Sequence, residues 1–102
     1  MIARVWRGAT LAENGDAYAA YIEESAMEDA RKLTGARGSL VLRRERAGYA
    51  EFETIILFDS LDDVKAFAGA DLDAAVFFPE DDAYLVEREL AVKHYDVDVH
   101  MV

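Results

Sequence analysis

Residues 49–69 read YAEFETIILFDSLDDVKAFAG, and the first half of this stretch alternates as a β-strand does. The side chains predicted on one face of the strand are Phe52, Thr54, Ile56 and Phe58. Ile55 and Leu57 lie on the opposite face and are also apolar. Because both faces carry apolar side chains, we expect a strand that is covered on both sides.

The second half of the stretch predicts a short helix. Ser60 is a favourable N-cap, and Asp63 three residues later lies in the first turn, where a carboxylate favours the helix dipole. The apolar stripe consists of Leu61, Val64, Phe67 and Ala68. Gly69 supplies a C-terminal stop. A buried strand that leads directly into an amphipathic helix is typical of a layered α+β domain.

The chain of 102 residues is 53% hydrophobic and contains eleven aromatic residues, namely five Tyr, five Phe and one Trp. Its length predicts a single domain, residues 1–102. A small sheet with helices on one face cannot hide this much apolar surface. We therefore expect a homodimer, in which a second copy covers the other face.

The charge balance excludes several classes of partner. Eleven basic against twenty-one acidic residues give a formal net charge of −10, which disfavours nucleic acids and anionic membranes. The absence of cysteine excludes disulfides, thiolate nucleophiles and zinc–thiolate sites. No apolar run is long enough for a membrane span, and the N-terminus lacks a signal-peptide pattern. These features predict a cytoplasmic protein.

The remaining pattern completes the predicted order strand, helix, strand, strand, helices, strand. The predicted strands are 2–8, 39–46, 49–58 and 84–101, and the further helices are 17–33 and 71–77, with a solvated acidic loop at 80–82. Ala47-Gly48 predicts a tight hairpin turn. Asp29 falls on the apolar stripe of the first helix and Met27 opposite it, so we expect a bend near 25–27. This order predicts a ferredoxin-like antiparallel sheet with helices on one face.

Several segments, spread over nearly the whole chain, form a further pattern. They are Arg-Val-Trp-Arg at 4–7, Gly35 and Gly38, Leu-Val-Leu-Arg-Arg at 40–44, Phe-Glu-Thr-Ile-Ile-Leu-Phe-Asp-Ser at 52–60 with Ala-Phe at 66–67, and Val-Lys-His-Tyr at 92–95. Together they resemble the antibiotic biosynthesis monooxygenase family, and the resemblance implies a dimeric α/β barrel with a pocket between sheet and helices in each subunit. Some members of that family oxidise polycyclic aromatic substrates with oxygen and neither metal nor flavin, and others bind and degrade haem.

The haem-degrading relatives carry an Asn on the first strand, a Trp before the helix and a His in the later helix. The matching positions here are Trp6, Phe58 and approximately Phe77. A phenyl ring has no lone pair to offer iron. We therefore expect no haem degradation, no metal and no cofactor.

Three residues are the predicted catalytic set: Trp6, Tyr21 and His94. Trp6 could stack on a planar substrate and donate one hydrogen bond. Tyr21, together with Tyr18 on the same helical stripe, could place a phenol over the pocket and transfer a proton. For all three aromatic residues the alternative is a plain core or interface role.

The C-terminal segment holds both histidines of the chain, His94 and His100. Strand alternation places them with Asp96 and Asp98 on one face. Neighbours on one strand face are about 7 Å apart, so a straight strand does not wrap them around one metal ion. We interpret this face as solvated, and His94 alone as a candidate base near neutral pH.

Two functions fit these patterns. The first is a cofactor-independent monooxygenase that acts on a small aromatic or polyketide-like substrate in a pocket between sheet and helices. The alternative is a non-catalytic protein of the same fold, which binds a small apolar or aromatic ligand or serves only as a stable dimer. An aromatic pocket suits both functions.

Overall fold

The computed structural model describes residues 1–101, so Val102, the last residue of the predicted domain, lies outside the described range. The strands are β1 (Ile2–Leu11), β2 (Ala36–Arg46), β3 (Tyr49–Phe58), β4 (Leu85–Arg88) and β5 (Lys93–Asp96). The helices are α1 (Gly15–Ile22), α2 (Glu28–Arg31), α3 (Leu61–Ala68) and α4 (Asp81–Tyr84), with a 3₁₀ turn at Ala12–Asn14 and a π-helical turn at Glu23–Met27 between α1 and α2. No helix in residues 1–101 combines the length and the apolar character of a membrane span.

The sheet is antiparallel throughout and has the order β2-β3-β1-β4, with β5 also paired to β1. This is the predicted ferredoxin-like α+β arrangement. β1 and β3 pair along their whole length, from Ile2 opposite Phe58 to Leu11 opposite Tyr49. Residues 49–69 are therefore a central strand, β3, followed by the helix α3 that packs on it.

The alternation of β3 separates the two faces of the sheet. The side chains that β3 buries beneath the helices are Phe52, Thr54, Ile56 and Phe58. Tyr18, Ile22, Met27 and Val64 pack against them in one core cluster. The opposite face carries Ile55 and Leu57, which are partly exposed in the single chain. The chain thus covers one face of its sheet and leaves the other open.

The segment after β3 is only partly as predicted. Ser60 Oγ accepts a hydrogen bond from the backbone N–H of Asp63, and Gly69 follows α3 with a φ of +82°, as the cap and stop signals indicate. The predicted helix over 71–77 is wrong. This segment is a turn followed by extended chain, because its carbonyl groups accept hydrogen bonds from other parts of the chain rather than along a helix.

The predicted acidic loop at 80–82 and the continuous last strand are also wrong. Asp81 begins the short helix α4 and is only 6% exposed. The last strand is interrupted between Arg88 and Lys93, so that β4 pairs with β1 around Gly8–Thr10 and β5 pairs with it at Ile2–Val5. A single straight strand could not make both pairings.

The expected bend in the first helical segment is the π-helical turn Glu23–Met27. Ser25 Oγ donates a hydrogen bond to the carbonyl of Tyr21 at 2.6 Å, in competition with the regular helical ladder. Such a turn inserts one residue and changes the phase of the helix. As a result Met27 is buried and Asp29 is exposed, which reverses the sides that a uniform helical period assigns to them.

The predicted hairpin turn between β2 and β3 is confirmed. Arg46 pairs with Tyr49 across the two turn residues, and Ala47 and Gly48 have φ values of +53° and +85°. Positive φ at both central residues is the geometry of a type I′ turn. Ala47 is the one non-glycine residue in residues 1–101 with positive φ, a conformation that alanine adopts at a cost.

We expect Ala47→Asn to stabilise the protein by about 0.5–1 kcal/mol, because Asn tolerates the left-handed conformation and Ala47 is exposed. Gly48→Ala should destabilise it by about 1 kcal/mol, although a Cβ at Gly48 would meet no atom within 4 Å. Urea unfolding of the two variants measures both effects. Equal stability of both variants and the wild type would contradict the assigned turn geometry.

Candidate functional site

A cavity of about 50 Å³ lies between the sheet and the helical layer. Aromatic and apolar side chains form most of its wall, including Trp6, Ile22, Met27, Phe67, Phe77 and Phe78. The rings of Trp6 and Phe77 meet edge to face, with centroids 6.2 Å apart. Arg4, Tyr18 and Asp81 add ionisable groups to this apolar wall. The volume admits a few water molecules but is well below the roughly 150 Å³ of a cavity that binds benzene.

Arg4 comes to the cavity from β1, where Ile2, Arg4 and Trp6 face the helices. Its Nη1 donates to the carbonyl of Leu72 and its Nη2 to the carbonyl of Ala74, both at 2.7 Å. Arg4 is only 4% exposed. Burial lowers the pKa of its guanidinium from the ordinary value, and the charge of Asp73 offsets part of this effect.

Tyr18 and Asp81 form a buried pair that joins α1 to α4. The Tyr18 hydroxyl donates to Asp81 Oδ1 at 2.9 Å, and the backbone N–H of Phe78 donates to Oδ2 at 2.7 Å. Burial is the largest cause that raises the pKa of the Tyr18 phenol, and the charge of Asp81 and the hydrogen bond to it add to this effect. Tyr18 therefore remains a neutral hydrogen-bond donor at ordinary pH, and Asp81 is the acceptor.

The structure does not bring the three predicted catalytic residues together around the cavity. Trp6 lines it, and its indole N–H donates to the carbonyl of Glu89 at 2.8 Å. Tyr21 and His94 are not among the lining residues. The Tyr21 hydroxyl instead accepts a hydrogen bond from the backbone N–H of Glu80 at 3.0 Å. Of the two tyrosines on this helical stripe, Tyr18 is the one that lines the cavity.

His94 lies next to Arg4 on the neighbouring strand, because the two residues are paired across β5 and β1. Its Nε2 is 3.1 Å from Nη1 of Arg4, and its Nδ1 is 3.6 Å from a carboxylate oxygen of Asp73. A guanidinium can only donate, so Nε2 must accept and Nδ1 carries the proton. Burial and then the nearby charge of Arg4 lower the pKa of His94. The ring is thus a neutral link between Arg4 and Asp73.

Arg4 and Asp81 are the site residues that sequence reasoning missed. For Arg4 a signal existed, because strand alternation puts it on the same face as Ile2 and Trp6. For Asp81 there was no comparable signal, since it stands within the acidic run Glu80-Asp81-Asp82. In residues 1–101 no cluster of three or more His, Cys, Asp and Glu side chains forms a candidate metal site.

Comparison with solved structures supports the architecture. The chain is similar to the crystal structure of a Bacillus cereus protein that is described, provisionally, as an antibiotic biosynthesis monooxygenase, with a TM-score of 0.62 and 15% sequence identity, over 100% of this chain and 95% of the other. The two chains share a fold. The resemblance found in the sequence is confirmed at that level. No family model and no curated protein matches the sequence.

Removal of the Tyr18 hydroxyl should destabilise the fold. In Tyr18→Phe the buried Asp81 carboxylate loses one of its two donors, and the expected loss is about 1–3 kcal/mol of unfolding free energy. Tyr21→Phe is the matched control, because the Tyr21 hydroxyl lies near the surface and water can replace its partner. It should cost less than about 1 kcal/mol. Urea unfolding compares the two, and an equal loss in both variants would argue against a special role of the buried pair.

Protonation of His94 should weaken the fold. Because the pKa of His94 is lowered in the folded state, the unfolded chain binds this proton more readily. The contribution to the unfolding free energy is therefore present above the ordinary imidazole pKa of about 6.5, and it is lost as the pH falls below that value towards the lowered pKa of the folded state. His94→Gln should flatten this part of the pH profile, whereas His100→Gln, at an exposed position, should leave it unchanged. If the unfolding free energies of the wild type and His94→Gln depended on pH in the same way, the expected effect of His94 protonation would be contradicted.

Proposed function

We propose that the protein is a cofactor-independent monooxygenase that oxidises a small aromatic or polyketide-like substrate in the cavity between sheet and helices. The observation that carries the proposal is the wall of the cavity, where aromatic side chains surround the Asp81 carboxylate and the Tyr18 hydroxyl. Such a wall suits the faces of a planar substrate, and a carboxylate supplies a proton acceptor. The monooxygenase description of the Bacillus cereus protein with the same fold adds support.

The proposed reaction requires a substrate whose C–H or O–H proton is acidic enough to leave as H⁺. The Tyr18 oxygen accepts that proton while the Tyr18 proton moves to Asp81. The substrate anion then reduces O₂ by one electron, and the resulting radical and superoxide combine to a hydroperoxide. For a CH₂ group between activating rings or carbonyls, loss of water from the hydroperoxide leaves a C=O group. One oxygen atom enters the product and the other leaves as water, so no external reductant is needed.

The second candidate is a non-catalytic ligand-binding protein. The small volume of about 50 Å³ favours this candidate, because a single aromatic ring fits only if side chains of the wall move aside. The position of His94 outside the lining favours it as well, since the base that the sequence suggested does not face the cavity. Binding without turnover is the outcome that would identify this function.

The test is oxygen incorporation under ¹⁸O₂ with a panel of one-ring and fused-ring phenols and their keto forms, in the presence of a metal chelator. We expect one labelled atom in the product by mass spectrometry. Asp81→Asn should lower the turnover number by about 100-fold or more, whereas Asp82→Asn, whose side chain is 87% exposed, should leave it unchanged. Binding of panel members without label in any product would reject the monooxygenase and retain the second candidate.

We further propose that a second copy of the chain covers the open face of the sheet. This apolar face joins neighbouring strands, since Leu40 and Val5 both pair with Ile55 and Tyr95 pairs with Ala3. Leu40 is 56% exposed and Tyr95 is 52% exposed in the single chain. A contiguous apolar surface of this kind is unusual for a monomer, and an isologous pair of sheets would bury it.

Light scattering after size exclusion should give twice the chain mass of 11.4 kDa. Leu40→Glu places a charge on the open face and should shift the equilibrium to the monomer. Leu61→Glu is the matched control, because Leu61 is 48% exposed on α3, on the other side of the sheet. A wild-type monomer at micromolar concentration, or equal behaviour of both variants, would refute the proposed interface.

A further inference from the structure

Arg4 is a buried cation that has no anionic partner within the described part of the chain. It contacts two backbone carbonyls and the neutral ring of His94, and none of the ion pairs found in residues 1–101 includes it. Buried charges in proteins are normally paired, because desolvation of an ion costs several kcal/mol. Two carbonyl groups offset only part of this cost.

The nearest candidate counter-ion does not reach the guanidinium. Asp73 is linked to Arg4 through His94, and its own side chain is 84% exposed, so solvent screens its charge. Asp81, the one carboxylate on the cavity wall, is instead held by the Tyr18 hydroxyl and the N–H of Phe78. The guanidinium of Arg4 therefore lines the cavity without a carboxylate in contact with it among residues 1–101.

The guanidinium of Arg4 also has N–H groups without an acceptor in residues 1–101. Of its five N–H groups, the Nη1 pair and one on Nη2 have partners. The Nε N–H and the second Nη2 N–H have none within residues 1–101. The centroid of the Phe67 ring is 5.7 Å from the central carbon of the guanidinium, so an oxygen that accepts from these N–H groups would lie close to an aromatic side chain.

We propose that Arg4 is the anion-binding residue of the cavity, and that its ligand is a small planar aromatic compound that binds as a phenolate or enolate. The anionic oxygen accepts a hydrogen bond from an N–H group of Arg4 that has no partner in residues 1–101, and the ring lies against Trp6 and the phenylalanine side chains. This inference names the substrate class of the proposed site and rests on that site as a ligand pocket. It does not require that oxygenation occurs.

The contact between Arg4 and an anionic oxygen explains how the site would favour ionisation of its ligand. A cation in a poorly solvated pocket stabilises the deprotonated form of a phenol or enol. The hydrogen bonds to Leu72 and Ala74 hold the guanidinium in place before the ligand arrives, and His94 fills a third donor position without neutralising the charge. The site therefore selects its ligand by charge as well as by shape.

The test compares binding of 4-nitrophenolate with that of two neutral analogues, nitrobenzene and 4-nitroanisole, above neutral pH where the phenol is ionised. Difference absorbance gives the dissociation constants. The wild type should bind the anion roughly 10- to 100-fold more tightly than either analogue, as expected for a charge-assisted hydrogen bond. Equal affinity for the anion and the neutral pair, or no binding of the anion, would overturn the proposal.

Two variants connect the preference to Arg4. Arg4→Met should lose it, and Arg4→Lys should retain it because the charge remains. Arg7→Met is the control, since Arg7 is exposed on the opposite face of β1. If Arg4→Met does not fold, Arg4→Gln replaces it, because Gln removes the charge but keeps two N–H donors, and it should also lose the preference. Retained preference in a folded Arg4→Met variant would refute the role of Arg4.

Oxygen uptake measured in the same samples separates this inference from the proposed enzyme. Preferential binding of the anion without oxygen uptake with any phenol of the panel would reject the monooxygenase and support the role of Arg4. If substrates bind equally well to the Arg4→Met variant and to the wild type, and if they give labelled product, the result would support the enzyme and reject the role of Arg4.

Discussion

The hydrogen bonds that Arg4 donates to Leu72 and Ala74 are the interaction on which the cavity depends. They attach the segment between α3 and α4 to the central strand and supply donors for two of its carbonyl groups, which burial would otherwise leave unsatisfied. Further bonds from Ala75 to the carbonyl of Leu90 and from Val92 to the carbonyl of Asp73 hold the same segment against the break in the last strand. The segment is therefore extended, and it forms one wall of the cavity.

The pair of Tyr18 and Asp81 is the second attachment of this layer. It fixes α4 to α1, and the Tyr18 ring meets the Phe52 ring edge to face with centroids 5.1 Å apart. The cavity is thus held between a buried cation on the sheet and a buried carboxylate on the helical layer. The opposite face of the sheet carries apolar side chains such as Leu40 and Ile55 towards one end, and charged side chains such as Arg7 and Glu53 towards the other.

The sequence by itself determined the layers. Alternation along residues 49–58 decides which side chains of β3 lie beneath the helices, because side-chain direction in a strand has a strict period of two. The cap at Ser60 and the turn at Ala47-Gly48 were equally predictable, since both depend on interactions within three or four residues. These local rules suffice for the order of elements as far as α3, but not for the segment from 71 onwards, where the predicted helix, loop and continuous strand are wrong. They also place Trp6 on the cavity side of β1.

Only the tertiary structure decided which ionisable groups form the site. Arg4 bonds to residues 68 and 70 positions away along the chain, and Tyr18 bonds to Asp81 across 63 positions. No periodic pattern encodes such pairs, so Asp81 was predicted to be solvated and the 71–77 segment to be helical. The sequence correctly predicted that His94 lies on a strand. Its side chain contacts Arg4 and does not line the cavity, because β5 begins only after the break at 89–92 and pairs His94 with Arg4. The spacing of residues along the chain determines which face of each strand is buried. Contacts between distant segments determine which ionisable groups lie together at the cavity.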